Sequence, residues 1–552
     1  MMNMPRTRDD IILALIFATL ILFTAYGAAM WLTATLIVLI HEHRLLDSAS
    51  PTILETGIDL IGNLRTPSAA FALKDTVAMP RDPYLHLCTV PILAMLAIAA
   101  RLVWHLISDA PFASRSKHDS RWGSRRDTSR ISAKPNEASG RLVLGTAHGR
   151  TIATEQHHSV VVFGPTGSGK TTSIVIPALL NHAGPAVALS VKSDLVHATH
   201  QARSTRGKVY VYDPLNLTQH ESAKWTPLRA CKDWEEAQRM AEALTSAVGD
   251  SGLAASRFWD AMAAKLLEPM LHAAALDNRT MRDVVAWIDE RNTVNVENIL
   301  EHHGAMDALR SFRASHERDD RTKSSVYASA EVILRAYASP RMSDHTPDES
   351  LDPAKLLDAA TTLYVVAPAE DQARLRPVFS ALVKDIYRCA VLKAEGGGKP
   401  LDPGLLLVLD EAANIAPIHD LAQIAATCRA YAIQLVTIFQ DLAQVTHRYQ
   451  HGAGTVVNNH TAKLLLPGTS DRELLELMSR LLGDETITRD TTSTGPSGVT
   501  HSSQLHQRPL AAIHELRQLT RDQALLLYAN LPPLVIRLRP HYANRSNRKD
   551  AA

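Results

Sequence analysis

Between Ser159 and Asn181 the chain runs Ser159-Val160-Val161-Val162-Phe163, then Gly164-Pro165-Thr166-Gly167-Ser168-Gly169-Lys170-Thr171, then a helical pattern from Thr172. An apolar strand feeding a GxxxxGK[ST] turn that opens a helix restricts the fold sharply. It requires a buried strand of a parallel sheet with a phosphate-binding loop at its carboxyl end. The glycines let successive backbone N–H groups curl around phosphates, and the helix start adds its positive dipole end. Gly164 to Thr172 is therefore the candidate nucleotide-binding loop. Lys170 has the reach for the β- and γ-phosphates of ATP, and the Thr171 hydroxyl can ligate Mg²⁺. From about Leu142 onward short apolar strands alternate with helices, which places the chain in the α/β class with a mostly parallel sheet.

A second strand, Leu405-Leu406-Leu407-Val408-Leu409, ends in Asp410-Glu411. An acidic residue at such a tip can hold the Mg²⁺ shell, and its neighbour can orient or deprotonate water. Asp410 is the metal candidate and Glu411 the catalytic base, although acidic residues at strand ends also cap helices. The next strand, Ile433 to Phe439, ends at Gln440, which can sense the γ-phosphate, position water, or simply cap the strand. Asp213, after another short strand, is read as shaping a turn with Pro214.

The chain's 552 residues exceed one ordinary domain, and 58 Lys+Arg against 57 Asp+Glu exclude a highly basic DNA-coating protein. Four scattered cysteines without a CxxC pair indicate neither a disulfide framework nor a zinc ribbon. The average hides an uneven beginning. Ile11 to Ile40 carries no charged residue, long enough to cross a hydrocarbon core and too long for a cleaved signal peptide. A second apolar stretch runs from about Leu85 to Ile107. Residues 1–110 thus form a two-helix transmembrane hairpin, with helices at about 11–36 and 85–107. Arg115, Lys117, Arg121, Arg125, Arg126 and Arg130 follow it, whereas 41–84 holds only Arg44, Arg65, Lys74 and Arg81. Positive-inside bias puts both termini and the remaining chain in the cytoplasm of a bacterial inner membrane. The basic stretch 111–140 reads as a topology anchor and solvated linker, with contact to anionic lipid or nucleic acid as the alternative.

Parts 141–232 and 352–552 carry the strands. Between them, 233–351 is helical in period: 234–248, 258–276, 281–290, 305–316 and 324–337. Gly396 to Gly398 reads as a turn, and the Thr- and Ser-rich stretch 484–508 as a mobile loop.

Together these segments resemble the type IV secretion coupling proteins, the TraG/TraD group of conjugative ATPases. The resemblance rests on GPTGSGKT at 164–171, VKSDL at 191–195, VYVYDPLN at 209–216, WTPL at 225–228, FWDAMAAKLLEPML at 258–271, LLLVLDEAANI at 405–415 and TIFQDLAQV at 437–445. It implies a RecA-like motor interrupted by an all-α domain, assembled as a homo-hexamer with ATP between subunits. It also implies an arginine given across the interface, a place that Arg429 occupies, and it matches Gln440 to the family glutamine. A cation favoured by the helix C-terminus is the plainer reading of Arg429. Lys192 and Asp194 stand where the pattern departs from its commoner lysine-glycine form. Implied partners are a relaxase with single-stranded DNA or secreted proteins, the components of a type IV secretion channel, and membrane lipids. A double-stranded DNA pump of the FtsK/HerA kind and a membrane-anchored substrate receptor are the alternatives. Residues after 110 carry 51 Lys+Arg against 48 Asp+Glu, so contact with DNA requires a local cluster of cations rather than bulk charge.

Overall fold

The core is a twelve-stranded sheet whose centre is parallel and whose one wing is antiparallel. The computed structural model describes residues 120–133, 140–247, 254–415, 418–495 and 498–542, together with scattered positions between 26 and 94. Most of the two apolar stretches read as membrane helices lies outside the described residues; their described positions, scattered over 26–40 and 87–94, are helical. Among the described residues no helix is long and apolar enough to cross a membrane. The chain from Asp119 onward forms one unit.

Its strands are β1 (Ser132–Ala133), β2 (Val143–Ala147), β3 (Arg150–Ala153), β4 (Val160–Phe163), β5 (Ala186–Ser190), β6 (Val209–Tyr212), β7 (Thr362–Val366), β8 (Leu405–Leu409), β9 (Ile433–Phe439) and β10 (Ala462–Leu465). A separate pair, β11 (Asp484–Gly495) and β12 (Gly498–Pro509), precedes β13 (Gln523–Tyr528) and β14 (Leu534–Arg537). The large sheet runs β1-β3-β2-β14-β13-β10-β4-β9-β8-β5-β7-β6. From β10 to β6 every pairing is parallel, and from β10 outward to β1 every pairing is antiparallel.

The central strands are apolar on both faces because both faces are covered. In β4, Val160 and Val162 enter one core and Val161 and Phe163 the other, the period of two of a strand. Helices α1 (Ile176–Asn181) and α2 (Asp194–Ser204) cover the first face. The second face meets α3 (Trp234–Thr245), α4 (Ala254–Leu276), α5 (Met281–Asp289), α6 (Thr293–His302), α7 (Met306–His316) and α8 (Asp320–Leu334), with α9 (Gln372–Gly397) and α10 (Leu421–Thr427). The helical stretch between β6 and β7 thus shares a continuous apolar core with the sheet. Helix α6 escaped the periodicity because its apolar residues are few: only Val296 and Leu300 are buried.

Three expectations change. Gly396 and Gly397 lie in the last turn of α9, and only Gly398, left-handed at φ +61°, ends it. Residues 484–508 are not a loop: β11 and β12 pair residue for residue in a long antiparallel hairpin that closes at Gly495 and Gly498. Its composition, read as low complexity, is rich in β-branched threonine, which favours strand. The basic stretch is not wholly a solvated linker either. Arg121 forms a two-pronged pair with Asp127 at 2.7 and 2.9 Å, and β1 joins the sheet edge beside β3.

One buried acid lies where the helical stretch meets α9. Asp385 is 8% exposed and accepts the Trp225 indole N–H at 3.3 Å. Burial, the first cause, pushes its pKa to about 7 from the usual 3.8. The sign follows: unfolded Asp385 ionises near pH 4, so its stabilising contribution is full below that and is lost as pH rises to about 7. We expect Asp385→Asn to raise the Tm at pH 8, by a free energy of at most roughly 4 kcal/mol, and progressively less towards pH 5. Thermal unfolding across this range checks it, and a gain independent of pH contradicts it.

Candidate functional site

The carboxyl ends of β4, β8 and β9 meet at one edge, with β9 between the other two. That order brings the loop after β4, the acidic pair after β8 and the glutamine after β9 together, although they are far apart in sequence.

The loop is shaped by its glycines. Gly169 has φ +89°, a left-handed conformation that an L side chain rarely adopts. A Cβ on Gly164 would lie 2.6 Å from the Ser168 hydroxyl and 2.8 Å from the Leu466 Cβ, so no side chain fits there. Thr166 and Gly167 are exposed at the turn, Pro165 is half-buried, and Ser168 is buried with its hydroxyl unpartnered. The helix that follows opens with wide turns over Lys170–Val175 before α1. The Lys170 ammonium donates to the carbonyls of Gly164 (2.6 Å) and Pro165 (3.0 Å). Burial lowers its pKa, and the charges of Asp410 and Glu411 work in the opposite direction.

The Thr171 hydroxyl donates to Asp410 Oδ2 at 3.4 Å. Asp410 is 6% exposed and its other oxygen, Oδ1, is buried without a partner. Burial, then Glu411, pushes its pKa to about 6, against the pull of Lys170. An orphaned carboxylate oxygen beside a hydroxyl, both hard donors, fits Mg²⁺. Glu411 sits at φ +53°, a left-handed residue without glycine's freedom. Its Oε1 accepts from Gln440 Nε2 at 3.2 Å. The arrangement can hold a divalent cation, fix phosphates and aim a carboxylate at water.

The other expected residues lie elsewhere. Lys192 is exposed after β5, while Asp194 is near enough to push the Asp410 pKa upward. Arg429, exposed in the short turn Cys428–Tyr431, stands before β9 rather than after it. Its charge, after burial, lowers the pKa of His157 and His158, which precede β4. Roughly 20 Å of strand therefore separates it from Gln440 in the same chain. Asp213 shapes its turn as expected, accepting the N–H and hydroxyl of Thr218 at 2.6 and 2.8 Å. A contact missed from sequence is the His541 N–H donating to the Thr172 carbonyl at 3.0 Å, since nothing local marks a C-terminal segment as returning to the loop.

The model of the family described as "Type IV secretory system Conjugative DNA transfer" matches residues 120–550. Among curated proteins, the chain is 26% identical over 368 residues to conjugal transfer protein TraG of Escherichia coli, covering 61% of this chain and 56% of that one. It is 25% identical over 407 residues to protein VirD4 of Rhizobium radiobacter, covering 71% and 58%. The chain thus spans less than two thirds of the length of these relatives. Among solved structures, the bacterial conjugative coupling protein TrwB in its unbound form superposes with TM-score 0.60 at 18% identity, over 77% of this chain and 93% of that one. TrwB has also been solved in complex with ADP and Mg²⁺.

Proposed function

The chain belongs to the type IV secretory system conjugative DNA transfer family, and we propose from this premise that it is an ATP-hydrolysing coupling protein. In this reading it brings a relaxase-bound DNA strand, or protein cargo, to a type IV secretion channel. The observation that carries the reading is the convergence of Lys170, Thr171, Asp410, Glu411 and Gln440 at one sheet edge, with an unpartnered carboxylate oxygen among them. TrwB, with the same fold, binds ADP and Mg²⁺.

Each residue then has a task. The loop 164–172 holds the phosphates with its N–H groups, and Lys170 turns from its carbonyl partners to the β- and γ-phosphates. Thr171 and Asp410 would hold Mg²⁺, which supplies positive charge to the phosphate oxygens. Glu411, kept in place by Gln440, aims the attacking water and takes its proton. Arg429 cannot reach its own chain's site; in this reading it serves a neighbour's, within the ring of six subunits with ATP between them that the family resemblance implies. Anchoring rests on the charge-free run 11–40 and the basic residues after 111: two spans in the inner membrane, both termini cytoplasmic.

ATP turnover by the full-length chain tests the function. We expect single-stranded DNA to raise the rate and Lys170→Ala to abolish both basal and stimulated hydrolysis. A rate indifferent to DNA and to Lys170→Ala removes the motor reading.

A further inference from the structure

The segment after β14 returns to the phosphate loop. Leu538 is buried there, its N–H donating to the Asp522 carbonyl at 2.7 Å. Three residues on, the His541 N–H reaches the Thr172 carbonyl at 3.0 Å. That carbonyl is free for a reason written in the sequence. In the wide turns after Gly169, the Ile176 N–H donates to Thr171, five residues back. The same spacing assigns Thr172 to residue 177, and Pro177 has no N–H. The C-terminal segment supplies the bond that the helix cannot make.

This tether holds two aromatic rings beside the loop. The His541 and Tyr542 rings lie 5.5 Å apart and are inclined at 75°. Tyr542 is 59% exposed, and His541 Nδ1 is buried with no hydrogen-bond partner. The strand order says which end of a nucleotide they would meet. Asp410, Glu411 and Gln440, which mark the terminal-phosphate end, stand on β8 and β9, to one side of β4. Strands β10, β13 and β14 stand on the other side. A triphosphate lying along residues 165–172 with its terminal phosphate toward β9 carries its nucleoside toward β14 and the segment 538–542.

We propose that Tyr542, with His541 beside it, is the platform on which the nucleobase of the bound nucleotide stacks. The proposal rests on the nucleotide-binding reading of the loop. It adds to a loop that grips phosphates a contact that reads the nucleoside. An aromatic face accepts any base, so the platform contributes affinity for nucleotides over bare polyphosphate rather than a choice among bases.

Equilibrium binding of ADP and of inorganic tripolyphosphate to the full-length chain separates the possibilities. Tyr542→Ala should weaken ADP about tenfold and leave tripolyphosphate binding where it was. Tyr542→Phe should bind ADP as the unaltered chain does, because the ring is kept. Lys170→Ala should weaken both ligands. If Lys170→Ala weakens both while Tyr542→Ala changes neither, or both equally, the platform is wrong and the phosphate loop stands. Loss of ADP binding in Tyr542→Phe likewise contradicts stacking. If Lys170→Ala changes neither ligand, the nucleotide reading fails and the platform with it.

Discussion

Arg429→Ala should lower steady-state ATP turnover by about 10³-fold or more while leaving nucleotide affinity unchanged, the signature of a cation that acts only as charge develops on the transferring phosphate. The expectation comes from where the strand ends lie. Gln440 and Arg429 bracket β9, Gln440 at the edge that carries the phosphate loop and Arg429 at the other. Arg429 is exposed, and its described electrostatic neighbours, His157, His158 and Tyr528, belong to that far edge. No side chain spans the length of β9, so a catalytic Arg429 would have to act at another subunit's site. A helix-terminal cation with no catalytic part would leave turnover within the small effect of a surface substitution. Turnover and ADP affinity measured on the same preparation distinguish the two.

Glu411→Gln should slow hydrolysis of bound ATP by about 10²–10⁴-fold, the range for loss of a positioned general base. The substitution keeps the side chain's size and its contact with Gln440 while removing the carboxylate. The left-handed backbone at Glu411 costs on the order of 1 kcal/mol, which the surrounding packing must sustain. The Glu411 side chain accepts the Gln440 amide N–H. Asp410, one residue earlier, faces Thr171 and is the carboxylate proposed for the metal side of the pair. Single-turnover hydrolysis of ATP by Glu411→Gln checks the assignment. A rate near that of the unaltered chain, with ATP still bound, places the base elsewhere.

The elements that were legible in the sequence are those whose signal is local. GPTGSGKT needs only its flanking strand and helix, and LLLVLDE needs only an apolar run with an acidic end. The parallel order that seats β9 between them is a long-range property. Gln440 nonetheless lies at the edge that its strand-end position implies, because carboxyl ends of parallel strands share an edge. Arg429 shows the opposite case: its distance along the sequence from Asp410 says nothing of which sheet edge it occupies, and the structure puts it on the far one. The antiparallel wing β1-β3-β2-β14-β13 was not seen because short strands such as Leu534–Arg537 owe their form to pairing partners hundreds of residues away. The hairpin of residues 484–509 was hidden by composition, since threonine and serine that suggest a loop also alternate along strands. The return of His541 to Thr172 depends on a carbonyl left open by Pro177, and neither residue marks it alone.

If each ATP site is completed by the next subunit, two inactive chains should restore each other when mixed. Lys170→Ala destroys a chain's own phosphate loop but leaves its Arg429, whereas Arg429→Ala does the reverse. Co-assembled in varying ratios, they should recover ATP turnover through sites where an intact loop faces an intact arginine, with a maximum at intermediate ratios. Turnover that stays at the level of the separate variants at every ratio, in assemblies shown to contain both chains, would contradict it.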